Sequence, residues 1–144
     1  KDILSNIIHF FDWKLNKVSK NIDQSSQKDM IFEIMMMRFD ILQENRRSVT
    51  RIFEFFKSKP QELVLLLPSF IDSMILMANM ANIPSKGLKG NLKIKGLLVI
   101  YFSSFLIWMK DNSQSLEKTM TSLNNNIERA DNYLNILNRT NVFN

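Results

Sequence analysis

Apolar residues recur at intervals of three and four along most of the chain, and no long segment sustains the alternation of apolar and polar residues that is typical of strands. Intervals of three and four place side chains on one face of an α-helix, whereas strict alternation is typical of a half-buried strand. The pattern therefore predicts an all-α protein of about six helices. No linker or internal repeat divides the chain, so we expect residues 1–144 to form a single domain.

Helix boundaries follow from residues that start and stop helices. Asn45 suits the position before a helix, and Pro60 suits a first helical turn, where its missing N–H costs nothing. Pro68 falls inside the fourth helix and is expected to kink it. Pro84 and two glycines mark a loop over residues 83–90. The expected helices cover residues 1–22, 27–44, 46–58, 60–82, 91–110 and 113–137, and residues 138–144 are expected to fray. The second of these helices is apolar nearly all round, so we expect it to be central.

The sixth helix carries a heptad of apolar residues from Leu116 to Leu137 on an otherwise polar surface, and Ser113 is placed to cap it. Such a narrow seam is typical of a helix that packs in a bundle or a dimer. The fifth helix is apolar on two faces, which is more than its own chain can cover. We therefore expect a symmetric homodimer through the fifth and sixth helices. The expected interface residues are Val99, Phe102, Leu106, Met109, Met120, Leu123, Ile127 and Leu134.

Composition excludes several classes of protein. The chain is 45% hydrophobic and 23% charged, as in ordinary globular domains. It has no cysteine, which rules out disulfide frameworks and cysteine nucleophiles and agrees with a cytoplasmic location. Two apolar runs raise the question of a membrane span. Residues 96–109 are fewer than the ~20 that a bilayer requires, and residues 63–83 contain Asp72, so no transmembrane span is expected.

No set of residues predicts an enzyme or a metal site. His9, the single histidine, has only Asp12 as an acidic partner at helical spacing, so we interpret it as a structural or surface residue. Glu33 and Asp40 share a helix face but lack the histidine that di-iron bundles pair with glutamate, and we interpret them as solvated or ion-paired. Phosphate-binding glycine motifs and nucleophile motifs are absent from the sequence, and no cofactor is expected.

The net charge is +5, and basic residues form two local clusters. Either cluster is chemically able to contact phosphates, but neither is interleaved with aromatic residues that would stack on bases. We therefore interpret both as charged, solvent-facing surfaces. The clusters are Arg46, Arg47, Arg51, Lys57 and Lys59, and Lys86, Lys89, Lys93 and Lys95.

Methionine and phenylalanine are abundant, with nine and eleven residues. Flexible methionine side chains adapt to guests of varied shape, so a pocket for an apolar small molecule is one interpretation. A plain hydrophobic core is the other. The expected pocket lies between the second, fourth and fifth helices, with the Tyr101 hydroxyl and either Asp72 or Asn79 as polar contacts. Its expected lining residues are Met36, Phe39, Phe53, Met74, Met77 and Tyr101.

Several segments resemble the regulatory domain of bacterial TetR-type transcriptional regulators. Residues 29–42 (DMIFEIMMMRFDIL) resemble the helix that follows the DNA-binding head in that family. Residues 92–97 (LKIKGL), 108–113 (WMKDNS) and 118–120 (KTM) resemble features of its last two helices. Together these segments span most of residues 29–137.

The resemblance implies the effector-binding and dimerisation domain of a regulator. In that family, the last two helices of two subunits form a four-helix bundle, and the middle helices enclose an effector pocket. A helix-turn-helix head is expected to precede Lys1, so DNA binding is expected only of the parent protein, in a bacterial cytoplasm. One relative of the fold, a ubiquinone-biosynthesis accessory protein, carries lipid and has lost DNA binding, and such a role is the alternative. A ligand-free helical interaction scaffold is the third possibility.

Overall fold

The computed structural model describes residues 2–140, and every regular element within them is helical. The predicted all-α fold is confirmed. Of the tail that was expected to fray, residues 138 and 139 are helical, which corrects that expectation, and residues 141–144 lie outside the described residues. In chain order the elements are α1 (Asp2–Val18), a 3₁₀ turn (Ser19–Asn21), α2 (Gln27–Glu44), α3 (Arg46–Lys57), α4 (Pro60–Leu65), α5 (Leu67–Met80), α6 (Gly87–Lys110) and α7 (Glu117–Arg139).

Residues 2–140 contain seven α-helices, close to the predicted number of about six, and the additional one arises because the predicted fourth helix is divided near Pro68. Leu66, between α4 and α5, still has helical backbone angles (φ −89°, ψ −7°), and Pro68 lies in the first turn of α5. A proline in that position lacks only an N–H that would have no partner within the helix. Pro68 therefore begins a new helix, and the expectation of one kinked helix is wrong.

The loop before α6 is shorter than predicted, since α6 begins at Gly87 and not near residue 91. Gly90 makes this possible. A Cβ atom at Gly90 would lie 2.4 Å from the backbone carbonyl carbon of Ser85. The loop therefore packs directly on the first turn of α6, at a place where only glycine fits.

The centre of the bundle is formed by α2 and α6. α2 packs on α1, α5 and α7, while α6 packs on α5 and α7. This confirms the central position that the apolar surface of α2 predicted. Burial of these apolar side chains is the main driving force for the fold. The core side chains with no exposed surface include Leu15, Ile34, Met35, Phe39, Met74, Met77, Trp108 and Leu123.

α3 and α4 lie outside this core, and neither contains a fully buried residue. The start of α3 is held by Arg46, whose Nη2 donates to the carbonyl oxygens of Trp108 (2.9 Å) and Met109 (3.1 Å). These carbonyls belong to the last turn of α6, where a cation is favourable. The interpretation of Arg46 as solvent-facing is therefore wrong, whereas Arg47 and Arg51 are exposed as expected.

The turn between α6 and α7 is organised by Asp111, a side chain that is only 1% exposed. Its Oδ1 accepts from the Ser113 amide (2.9 Å), and its Oδ2 accepts from the Thr119 amide (2.9 Å) and hydroxyl (2.8 Å). α7 begins at Glu117 with Leu116 at its N-cap, later than predicted, but Ser113 Oγ still accepts from the first helical amide, that of Glu117, at 2.9 Å. Burial opposes the charged form of Asp111, but the hydrogen bonds from Ser113 and Thr119 hold its pKa well below the usual range.

We expect Asp111→Asn to lower the free energy of unfolding by about 2–3 kcal/mol at neutral pH, because one amide oxygen cannot replace two accepting carboxylate oxygens. A carboxyl whose folded pKa is depressed stabilises the fold above its unfolded pKa of ~3.9 and loses that contribution as the pH falls below it. The difference between wild type and variant should therefore narrow between about pH 5 and about pH 3. Urea unfolding across that range measures the effect. Asp23→Asn, in the exposed turn before α2, is the control, and an equal loss there would contradict the expectation.

Candidate functional site

An apolar cavity of about 390 Å³ lies between the core and the outer helices α3 and α4. Its volume falls within the range of small-molecule pockets, and it is partly open to solvent. The inner wall comes from α1, α2, α5 and α6, and the outer wall comes mainly from α3 and α4. The inner wall includes Phe11, Leu42, Phe70, Tyr101, Phe102 and Phe105, and the outer wall includes Val49, Ile52, Phe53, Phe56, Leu63 and Val64.

The accessible lining of this cavity is almost entirely carbon. Phenylalanine rings contribute most of the aromatic surface, and Phe53 of α3 packs edge-on against Phe105 of α6 with ring centres 5.3 Å apart. A water molecule needs two to four polar partners to be held in such a space, and this lining offers few. The cavity is therefore suited to an apolar occupant.

A buried polar network lies beside the cavity. Arg38 of α2, 1% exposed, donates from Nη1 to Asp12 Oδ1 of α1 and from Nε to the Tyr101 hydroxyl of α6 at 3.1 Å. Ser73 of α5 donates its hydroxyl to Asp12 Oδ2 at 2.8 Å. One arginine thus joins side chains from four helices. Every carboxylate oxygen of Asp12 has a donor, as a buried ion requires.

The charge of Arg38 is compensated within this network. Burial by itself would lower the pKa of Arg38, but the nearby Tyr101 and Asp12 oxygens raise that pKa above its ordinary value overall. The guanidinium therefore stays protonated while buried. His9 Nδ1 lies 3.8 Å from Asp12 Oδ2 on the outer side of α1, with about half of its side chain exposed. This position agrees with the interpretation of His9 as a surface residue.

The structure brings two of the six predicted pocket residues, Phe53 and Tyr101, to the cavity. The other predicted positions are corrected. Phe39, Met74 and Met77 have no exposed surface and are packed in the core. Helical periodicity predicts that a side chain faces the interior of the protein. It does not predict whether that side chain contacts other atoms there or borders a cavity. The cavity consequently lies nearer α3 and α4 than the sequence predicted.

Met36, the remaining predicted pocket residue, lies elsewhere on α2. It lines a shallow surface depression with Glu33, Asp40 and Met120. Asp72 and Asn79, the predicted polar contacts, are exposed on α5, so neither is a partner for a ligand in the cavity. Within residues 2–140, no group of three or more histidine, aspartate or glutamate side chains is arranged to hold a metal ion.

Sequence reasoning missed Arg38 and Asp12. A signal was present, because Arg38 is the only basic residue in the predominantly apolar segment from Met30 to Leu42, whose other charged residues are Glu33 and Asp40. Charged residues are almost never fully buried unless they are paired. An arginine on a helix that must be central therefore requires a buried acidic partner. The sequence cannot say which carboxylate it is, because Asp12 lies 26 residues away.

The expected dimer residues separate into three groups. Leu123 and Ile127 are buried within the single chain, which corrects their assignment to a subunit interface. The heptad seam of α7 meets α6 of its own chain, since α6 and α7 pack along their lengths. Met120 faces the depression beside α2. The half-buried residues are Phe102, Met109 and Leu134, and the exposed ones are Val99 (65%), Leu106 (53%) and Met120 (40%).

Several large apolar side chains nevertheless remain exposed on the outer sides of α6 and α7, interspersed with polar residues such as Asn125 and Arg129. We call this surface the α6–α7 outer face and define it by its large exposed apolar side chains. Small residues lie between them, including Ser103 of α6 and Ser122 of α7. A groove of about 370 Å³ opens beside this face, next to Val99 and Tyr133, but its lining also includes Lys28, Lys93 and Asp131. The defining residues are Val99, Leu106, Ile107, Tyr133 and Ile136.

α6 also bears on the question of a membrane span. Among the described residues it is the one helix long and apolar enough to cross a bilayer, with 24 residues and a mean hydropathy of 1.6 over its best 18-residue window. Of that window, 33% is buried. The helix is longer than the apolar run of 14 residues on which the sequence-based exclusion rested, so its length does not exclude a membrane span. The central helix of a helical bundle satisfies the same criteria.

No family model matches the chain, and no curated protein matches it in sequence. The resemblance to TetR-type regulators therefore rests on the segments quoted above. The site must be interpreted from its own geometry.

We expect Asp12→Asn to lower the free energy of unfolding by about 3–5 kcal/mol, because it leaves the buried Arg38 charge without its counter-ion. Glu44→Gln is the matched control. Glu44 pairs with Lys14 at 3.2 Å on the exposed side of the same two helices, and its loss should cost less than about 1 kcal/mol. Chemical denaturation of the two variants and the wild type measures both values. Equal losses of unfolding free energy in the two variants would show that the buried ion pair stabilises the fold no more than the exposed one.

Proposed function

We propose that this chain is the effector-binding and dimerisation domain of a TetR-like bacterial transcriptional regulator, and that it senses an apolar small molecule in the cytoplasm. One observation carries the proposal: α6 takes part in both an apolar cavity and an uncovered apolar face. A sensor domain needs both features, one for the effector and one for communication between subunits. The family resemblance of residues 29–42 and of the last two helices supports the same assignment.

The α6–α7 outer face is suited to a second copy of the chain. Large apolar side chains that are exposed on one side of a protein often mark an interaction site. Val99 and Tyr133 are 65% and 58% exposed, values that leave most of each side chain in water. Pairing α6 and α7 with their symmetry mates would form a four-helix bundle with the same patch buried on both subunits. Small residues such as Ser103 would allow close approach of the helices.

A membrane-spanning role for α6 is less consistent with its neighbours. Lys93 and Lys95 lie within the first half of α6, and Arg129 is exposed on the adjoining face of α7. Only residues 96–109 of α6 are free of charge, fewer than the ~20 that a bilayer requires, so a span would bring Lys93 and Lys95 into the membrane near one surface. In a dimer the same charges stay hydrated at the edge of the interface.

The proposal includes a route from ligand to dimer. A molecule in the cavity would contact Tyr101, Phe102 and Phe105 on α6, one turn or less from the outer face. The opposite wall, α3 and α4, has no fully buried residue and is the less firmly packed side. A ligand that binds one arrangement of these walls more tightly than another would favour that arrangement and shift the position of α6. Because α6 also carries the outer face, the orientation of the two subunits would change with it.

A lipid-binding accessory protein without DNA binding is the second candidate function. The nearly all-carbon lining of the cavity favours it, because such a lining suits a hydrocarbon chain as well as a small effector. A ligand-free scaffold is the third candidate. DNA binding separates the first candidate from the other two.

We expect the product of the complete gene to bind duplex DNA from its own promoter, and this 144-residue chain not to bind it. The reason is that the resemblance assigns DNA binding to a helix-turn-helix head of the parent protein and not to the regulatory domain. A gel-shift comparison of the two proteins measures this. If the complete gene product binds no DNA, the regulator proposal is contradicted and the lipid-binding alternative is favoured.

We expect the chain to sediment as a dimer at micromolar concentration and Val99→Asp to make it monomeric, because the substitution would bury a carboxylate in an apolar interface. The helical circular-dichroism signal should not change, since Val99 is exposed in the single chain. Ile3→Asp is the matched control, because Ile3 is 75% exposed on α1, away from the outer face. A wild-type chain that sediments as a monomer would refute the dimer.

A further inference from the structure

Arg38 is the one charged side chain among the described residues that line the apolar cavity. An arginine beside a ligand cavity is commonly an anchor for a carboxylate or phosphate, because its planar donors match the oxygens of an anion. The first expectation from this residue alone would be an anionic ligand, such as a fatty acid. The surroundings of Arg38 argue against it.

The positive charge of the guanidinium is already paired within the protein. Nη1 donates to Asp12, which supplies the full counter-charge, and Nε donates to the Tyr101 hydroxyl at 3.1 Å. Asp12 is in turn held by the Ser73 hydroxyl at 2.8 Å. Arg38 is 1% exposed, so almost none of its polar surface reaches the cavity. The Arg38–Asp12 pair therefore presents no net charge to the cavity.

An anion entering the cavity would face one of two costs. It would lose its hydration without gaining a counter-ion, since Arg38 is paired. Alternatively it would displace Asp12 and leave that carboxylate buried and unpaired. Both outcomes place an uncompensated charge in an apolar interior, which is strongly unfavourable. An uncharged ligand incurs neither cost and gains the burial of its hydrocarbon surface.

We infer that the cavity binds an uncharged, hydrocarbon-rich ligand and rejects the anionic counterpart of the same chain length. In this assignment the buried Arg38–Asp12 pair is a selectivity element that holds the lining neutral. The inference rests on the proposed function of the cavity as a ligand site and specifies which chemistry it accepts.

The test compares two ligands that differ only in the head group, decanol and decanoate, binding to the wild-type chain. Calorimetric titration is carried out at slightly alkaline pH, where decanoate is ionised, and below the concentration at which it forms micelles. We expect decanol to bind at least about tenfold more tightly than decanoate, given the cost of burying an unpaired carboxylate.

A second arm uses Asp12→Asn, which removes the counter-charge and keeps the shape of the side chain. Arg38 then lacks its anion, so decanoate should bind the variant at least about tenfold more tightly than it binds the wild type. Decanoate should also raise the melting temperature of Asp12→Asn more than that of the wild type, a measurement that works for a weakly stable variant. Glu44→Gln, which removes an exposed counter-ion, should leave the preference for decanol unchanged.

The outcomes separate this inference from the function on which it rests. Preference for decanol in the wild type, with a gain for decanoate in Asp12→Asn, supports it. Decanoate binding to the wild type as tightly as decanol overturns the selectivity but leaves the cavity as a ligand site. Binding of neither ligand overturns both the selectivity and the proposed sensing function. If Asp12→Asn does not fold, the wild-type comparison decides alone.

Discussion

Arg38 is the point at which four helices of this bundle are connected by polar contacts. The residue lies on the central helix α2 and reaches Asp12 on α1 and Tyr101 on α6, while Asp12 also binds Ser73 on α5. A buried charge without a counter-ion is strongly destabilising, so packing arrangements that separate Arg38 from Asp12 are disfavoured. The hydrophobic effect drives the bundle together without direction. The Arg38–Asp12 ion pair fixes how the helices are oriented relative to one another, and it thereby fixes the position of the cavity wall.

The second constraint is that α6 contributes both to the buried core and to the exposed outer face. Its inner side meets the core through Trp108 and Tyr101, which are 0% and 3% exposed, whereas Val99 on its outer side is 65% exposed. The α3–α4 wall is attached to the same helix, because Arg46 binds the carbonyls at the end of α6. Cavity, outer wall and outer face are therefore mechanically joined through one element. This arrangement is the physical basis for proposing that a ligand influences subunit pairing.

The all-helical class, most helix positions and the central role of α2 were predictable from the sequence, because they depend on local periodicity and on residues near helix ends. Ser113 could be identified as a cap because a capping hydroxyl acts on amides only a few residues away. The effect of Pro68 was only half predictable. A proline disrupts a continuing helix, but the same residue in a first turn is harmless, and local sequence does not distinguish the two cases.

The site depended on tertiary structure, because its properties belong to pairs of distant residues. Phe39, Met74 and Met77 look as suitable for a pocket as Phe53 and Tyr101, and only packing decided that the first three contact atoms and the last two border a void. The same holds for the heptad of α7, whose periodicity specifies one buried seam without specifying whether the partner helix is in the same chain. The sequence by itself determined which residues need burial or a partner. The three-dimensional arrangement decided which partner each one received, since free energies of packing and ion pairing depend on distances that no local pattern contains.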